Sequence, residues 1–295
     1  MKFKILDTLS TYRRMADAPC AETREAIFCD EIVQPFQPVT ERFGSDGLET
    51  FRMWGMNPDQ FAPGSPSNLE DVVEALAAYN AWNKAAQALE DGWKAFGSYQ
   101  KQVPTTEITF GLMVLDLGNV PGNHGYSGNG SMPGYVMTLY GEASERTLPM
   151  LQGVTAHELH HNLMFAARPH NFLTETTVGD YMLMEGLAES FAAELYGETV
   201  VGPYVKLFDE SRLKETKAKF IDAIDKKGFI LIRSYIFGDE VMAVQGHPSY
   251  GIPAFAGYAL GYRVVQAYLK RMGRTVAEAT FVPTNELIAE SGFFS

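Results

Sequence analysis

Cysteine is almost absent from this chain. Cys20 and Cys29 are the only two in 295 residues, so no disulfide framework holds the fold, and two reduced structural thiols are the expectation. Long apolar runs are missing too. No segment approaches the roughly 20 apolar residues that a membrane-spanning helix needs. The N-terminus, Met1-Lys2-Phe3-Lys4-Ile5-Leu6, meets Asp7 before any stretch of signal-peptide length develops. The expectation is a cytoplasmic protein with no membrane partner. Basic charge is in deficit: 24 Lys and Arg face 36 Asp and Glu, a formal net charge of −12. An acidic surface repels phosphate backbones, so nucleic acid is not an expected partner.

What is present describes an ordinary globular protein, with 46% hydrophobic and 12% aromatic residues. The first hundred residues read as mostly helical. Ala21 to Val33 has helix-forming composition and stops near Pro35 and Pro38. Ser67-Asn68-Leu69-Glu70 has the form of a capping box. Behind it Val72, Val73, Leu76, Ala77, Tyr79, Ala86 and Leu89 make a helical apolar stripe.

The character changes after Pro104. Glu107–Val114 and Tyr135–Tyr140 are β-branched and aromatic, as strands are. The glycine- and asparagine-dense stretch between them, Gly118 to Gly134, reads as loop. Helical patterns then cover about Leu148 to Ala166, Val178 to Tyr196, Pro203 to Asp225 and Phe255 to Met272, while Phe229 to Phe237 fits helix or strand. The order predicts an α+β fold, predominantly helical, with a small sheet before the helix at Leu148. The expected division is a helical support region over residues 1–104 and a second domain over 105–295.

Chemistry concentrates in one segment. His157-Glu158-Leu159-His160-His161 is an H-E-x-x-H match in a chain with six histidines. Two histidines four apart on a helix project from one face, so His157 and His161 can share a zinc ion, and Glu158 can take a proton from the attacking water. Leu151, Val154, Leu159, Leu163 and Met164 supply the apolar surface of that helix, and Pro149 stands near its start, where proline is tolerated. His160 lies about 100° off the ligand face and reads as a structural histidine. His124 and His170 fall in loops and read as solvated.

A third ligand is available at Glu185, 24 residues after His161, inside the apolar run Met182-Leu183-Met184-Glu185-Gly186-Leu187. A buried carboxylate needs a partner or a metal. Zinc held by two histidines and one glutamate keeps a position open for water. Glu189, one turn beyond, can orient a ligand histidine through its distal ring nitrogen.

Thr155 to Asn162, with Val178-Gly179-Asp180 and Glu185-Gly186-Leu187-Ala188-Glu189-Ser190-Phe191, resembles the bacterial family of predicted Zn-dependent proteases known as domain of unknown function 2268. More broadly it resembles a gluzincin, the zincin type with a glutamate third ligand. Gly257-Tyr258-Ala259-Leu260-Gly261-Tyr262 resembles the family's C-terminal segment. The resemblance implies a zincin-like fold, one zinc ion per chain bound by His157, His161 and Glu185, Glu158 as general base, and a peptide or protein substrate. The usual gluzincin third-ligand helix reads N-E-x-x-S-D, and Met184 and Glu189 depart from it.

The mechanism also needs a donor for the developing oxyanion. Tyr258, Tyr262 and His247 are the candidates, each in a glycine-flanked setting. Zincins of this kind lay substrate against an edge strand before the motif helix, a place that Tyr135–Tyr140 fits. The glycine-rich stretch lacks an ordered phosphate-loop pattern. The reading from a different class is a zincin scaffold that binds or regulates without turnover.

Overall fold

Two segments rich in β-branched and aromatic residues, 107–114 and 135–140, form the centre of the sheet, and the amphipathic and fully apolar periodic segments form helices. The computed structural model describes the whole chain except residues 43, 45, 119–123 and 169–171. The class is α+β, predominantly helical, with one four-stranded sheet among the described residues. The helices are α1 (Thr8–Ala16), α2 (Ala21–Phe28), α3 (Gln37–Glu41), α4 (Gly47–Met53), α5 (Leu69–Ala78), α6 (Ala81–Ala95), α7 (Leu151–Ala167), α8 (Phe172–Glu175) and α9 (Val178–Tyr196). They continue as α10 (Pro203–Lys206), α11 (Leu213–Ile221), α12 (Phe229–Phe237), α13 (Asp239–Ala243), α14 (Ala256–Met272), α15 (Val276–Ala279) and α16 (Thr284–Ser291). The strands are β1 (Lys2–Ile5), β2 (Glu107–Val114), β3 (Tyr126–Met132) and β4 (Tyr135–Tyr140). No described helix is long and apolar enough to cross a membrane. The chain divides into two units, Met1–Trp93 with Pro104–Leu163, and Lys94–Val103 with Met164–Ser295.

In the first unit the sheet order is β1-β2-β4-β3. β1 and β2 pair in parallel, β2 and β4 pair in parallel, and β3 returns antiparallel to β4. From Ile108 to Val114, β2 is buried on both faces, which is why it reads as a continuous apolar run rather than an alternating one. Tyr12 of α1 anchors this strand: its buried hydroxyl accepts the Val114 N–H at 2.8 Å, and its ring stacks on Phe61. Thr8 donates to the Leu112 carbonyl at 2.6 Å, so α1 is fastened to β2 at two points.

Three local expectations change. The Ser67–Glu70 capping box does not close, because the helix begins one residue later, at Leu69, whose N–H donates to Ser67 Oγ at 3.2 Å. The apolar stripe through Leu89 is broken into α5 and α6 by Asn80, which takes the left-handed conformation at φ 60 that asparagine tolerates better than most residues. The strand expected at the sheet edge is interior. Tyr135–Tyr140 is flanked on both sides, and the glycine-rich stretch read as loop supplies the edge strand β3 from Tyr126 to Met132. Low strand propensity in Gly128, Asn129 and Gly130 hid it.

In the second unit, α9 is buried almost throughout from Met182 to Ala192. Thr177 and Asp180 close a reciprocal capping box at its start, and Gly197, at φ 82, ends it. α9 meets α14 backbone to backbone: a Cβ on Gly186 would stand 2.2 Å from the Gly261 carbonyl carbon, and one on Gly261 2.0 Å from the Met182 oxygen. Phe96 packs edge-on against Phe191, and Tyr99 stacks on Phe281. Val276 N–H donates to Glu194 at 2.9 Å, joining α15 to α9. The segment Pro203 to Asp225 is not one helix but α10, a short 3-10 turn at Glu210–Arg212, and α11. Phe229–Phe237 is helical.

Candidate metal centre

Leu148–Met150, with Pro149 inside it, makes one 3-10 turn before α7 begins at Leu151. Two polar side chains then lock α7 to the sheet of the first unit. Thr155 Oγ1 shares a hydrogen bond of 2.9 Å with Thr138 Oγ1 of β4. Asn162 takes the Gly134 N–H on its oxygen at 3.0 Å and donates its amide group to the carbonyls of Gly130, Met132 and Tyr135. One side chain thus satisfies the backbone of the β3–β4 turn, including the bulge between Asn129 and Met132.

The bulged strand lies against the motif itself. A Cβ on Gly128 would meet the Glu158 side chain at 2.3 Å from Cγ, and one on Gly130 would stand 1.9 Å from the Glu158 carbonyl oxygen. Glu158 is therefore buried under glycine backbone, held where only a residue without a side chain can pass.

The ring nitrogens of His157 and His161 face each other, Nε2 to Nε2 at 3.0 Å. The donor atoms of His157, His161 and Glu185 all lie within 4.8 Å of one another. His161 and Glu185 are buried, Glu185 at 4% exposure, and His157 is partly buried. Two imidazole nitrogens and a carboxylate converging in a buried place are the donor set zinc takes in a site with an open position. The residues present fit the ion, and no other such donor group occurs among the described residues.

The family described as "Predicted Zn-dependent protease (DUF2268)" matches residues 81–289. The chain belongs to this family. It is also 37% identical over 284 residues to "Uncharacterized protein YjfC" of Bacillus subtilis (strain 168), a match covering 93% of each chain. No solved structure matches.

Within this DUF2268 chain the remaining candidates occupy distinct places. Glu189 is buried, and its Oε2 accepts the Gly202 N–H at 2.9 Å, which ties α9 to the turn that starts α10. Tyr262 donates its hydroxyl to the Glu198 carboxylate, 2.7 Å from Oε2 and 2.8 Å from Oε1. Burial and that carboxylate both raise the phenol's pKa. A tyrosine has one proton to give, so in this arrangement Tyr262 has none for an oxyanion. Tyr258 is half-buried in α14, its ring against Tyr204, Phe237 and Phe255. His247 stands partly exposed after α13, its backbone N–H donating to the Met242 carbonyl. His160 is fully buried and is not part of the His157, His161 and Glu185 group that could hold an ion. His124 is partly buried, which together with Arg146 lowers its pKa; His170 lies outside the described residues.

Sequence reasoning missed Gly128, Gly130, Asn162 and Tyr204. The glycines had a weak signal, isolated Gly within a stretch of alternating small polar residues, which marks a close backbone approach when the stretch is a strand. Asn162, next to His161, gave none, because its role depends on a turn 30 residues away in sequence.

Proposed function

We propose that this protein is a zinc-dependent peptidase of the gluzincin type, with a zincin-like catalytic region and one zinc ion per chain. The convergence of His157, His161 and Glu185 carries the reading, and the family's description as predicted Zn-dependent proteases supports it. When bound, zinc supplies Lewis acidity toward a carbonyl and toward water. The protein's own residues do the rest. His157, His161 and Glu185 hold the ion. Glu158 takes the proton of the attacking water and returns it to the leaving amine. Its position under Gly128 restricts its rotamers, which keeps the carboxylate aimed at one place.

Glu189 is assigned a positioning role, orienting a ligand histidine while it fixes the Gly202 turn. Tyr258 is the retained oxyanion donor among the three candidates. The substrate is a peptide or protein segment laid in extended form along β3, the edge strand that lies against the motif helix, by backbone pairing.

The test uses purified full-length protein. Elemental analysis finds about one zinc per chain, and Glu158→Gln keeps that zinc while losing hydrolysis of a diverse peptide library. Turnover undiminished in Glu158→Gln removes the base assignment, and zinc-loaded wild type that cleaves nothing favours a binding protein on the same scaffold.

A further inference from the structure

A cluster of half-buried aromatic rings, Tyr204, Phe237, Phe255 and Tyr258, lies in the second unit, and Tyr258 also packs against the buried cluster of Val201, Val205 and Tyr262. Tyr204 stacks on Phe255 with ring centroids 4.1 Å apart and leans on Tyr258 at 5.2 Å. Phe237 closes the group at 6.3 Å from Phe255 and 6.1 Å from Tyr258. All four rings are only partly buried, unlike Phe191 or Phe220 of the same unit, which are fully enclosed. The Arg233 guanidinium lies over Phe237 at 4.8 Å, so one margin of the cluster is cationic.

Phe255 holds its place against two local preferences. It is the N-cap of α14, yet it makes no side-chain cap bond, where Ser, Thr, Asp or Asn is preferred. Its backbone is left-handed at φ 54, a region that glycine or asparagine fills at less cost. A bulky residue kept in a sparsely populated conformation at a helix start points to a function for its side chain. Here that side chain is the ring stacked on Tyr204.

Two backbone ties join the cluster to Glu185. Gly186, its neighbour in α9, is pressed on Gly261 of α14, and Tyr258 stands one turn before Gly261. Glu189, one turn after Glu185, holds the Gly202 N–H, two residues before Tyr204. Tyr204 accordingly lies within electrostatic reach of the carboxylates of both Glu189 and Glu185.

We infer that Tyr204, Phe237, Phe255 and Tyr258 form the pocket for an aromatic or large apolar side chain of the substrate, next to the bond that is cut. This rests on the peptidase reading and adds the substrate class. The group received is flat and apolar, because stacked and edge-on ring contacts are what four partly exposed rings offer.

Three measurements test it on zinc-loaded full-length protein. In the first, the products of a diverse peptide library are sequenced by mass spectrometry. Phe, Tyr, Trp or Leu is expected to dominate one position beside the cleaved bond, and cleavage without such a bias overturns the pocket. The second compares binding of phenylalanine hydroxamate and glycine hydroxamate by calorimetry. The aromatic compound is expected to bind at least about tenfold more tightly, since a well-filled apolar pocket discriminates on that scale. Equal affinity, or no binding of either, overturns the pocket. If nothing in the library is cleaved but the affinity difference holds, the peptidase reading fails and the pocket stands. The third uses Phe255→Asn, which relaxes the backbone. Its melting temperature is expected to equal or exceed that of wild type, while the kcat/KM ratio for a Phe peptide over its Ala counterpart falls at least about tenfold. A fall in melting temperature with an unchanged ratio assigns the ring to packing alone.

Discussion

Gly128 and Glu158 fit together only because one of them has no side chain. The position of a Cβ on Gly128 lies 2.3 Å from Glu158 Cγ and 2.6 Å from Oε1, far inside van der Waals contact. The edge strand and the motif helix are in this sense one object. The strand's composition is set by what it must pass over, and the carboxylate's rotamer by what passes over it.

Gly128→Ala is therefore expected to displace the Glu158 carboxylate without touching a metal donor. General-base groups contribute about 10²- to 10⁴-fold, so peptide hydrolysis should fall by roughly 100-fold or more. Bound zinc should stay at the wild-type level. Overpacking of this kind costs about 1–3 kcal/mol, visible as a lower urea midpoint. Activity within threefold of wild type would show that Glu158 tolerates the methyl and that the strand does not aim it.

Asn162 makes a second prediction about the same strand. It bonds four backbone groups around the β3–β4 turn. Asn162→Ala leaves the Gly134 N–H and three carbonyls without this partner, and each unsatisfied buried group costs about 1–3 kcal/mol. Water can serve part of the turn, so a loss of about 2–4 kcal/mol is expected in urea unfolding. Amide exchange should quicken first at Gly134. Exchange that quickens everywhere except the turn would contradict the assignment.

Much of this arrangement was legible because the relevant signals are local. β2, β4 and α9 begin and end where composition and periodicity place them. The H-E-x-x-H spacing put two histidines on one helix face without tertiary information. Glu185 was legible for a different reason: an acid in an otherwise apolar helix is costly to bury, and it is buried. β3 was not legible, because Gly128, Asn129 and Gly130 are poor strand formers made into a strand by pairing with β4 and by the space above Glu158. The split of residues 203–225 into α10 and α11 was equally hidden. Tyr204 meets Phe255 and Tyr258 from an element more than 50 residues away, a convergence that no window along the chain contains.

Removing the metal should loosen the protein as well as silence it. An ion that binds only the folded chain stabilises it by about 2.7 kcal/mol at 100 times its dissociation constant. Chelation followed by differential scanning calorimetry is expected to lower the melting temperature by several degrees, and one equivalent of zinc should restore it. His161→Ala should melt at the same temperature with and without zinc. A zinc-dependent shift that survives in His161→Ala would place the ion elsewhere.

Acid sensitivity should come in part from Asp239, which organises the loop leading to Phe255. Its carboxylate accepts Ser249 Oγ and the backbone N–H groups of Tyr250, Gly251 and Ile252. Burial works to raise its pKa, but these four hydrogen bonds outweigh burial and hold it below the usual aspartate value. With the folded value depressed, the unfolded chain takes up the proton first. The stabilisation is then complete above the unfolded value of about 3.9 and is lost as pH falls through the folded one. Asp239→Asn keeps an acceptor oxygen but no charge, so at pH 7 it should be less stable by about 1–2 kcal/mol. Near pH 3 the gap between variant and wild type should narrow, because the unfolded wild-type chain already takes up the proton there and its folded form gives up part of the charge-dependent stabilisation. Urea unfolding at pH 7, 5 and 3 measures it. A gap constant across that range would mean that shape rather than charge holds the loop.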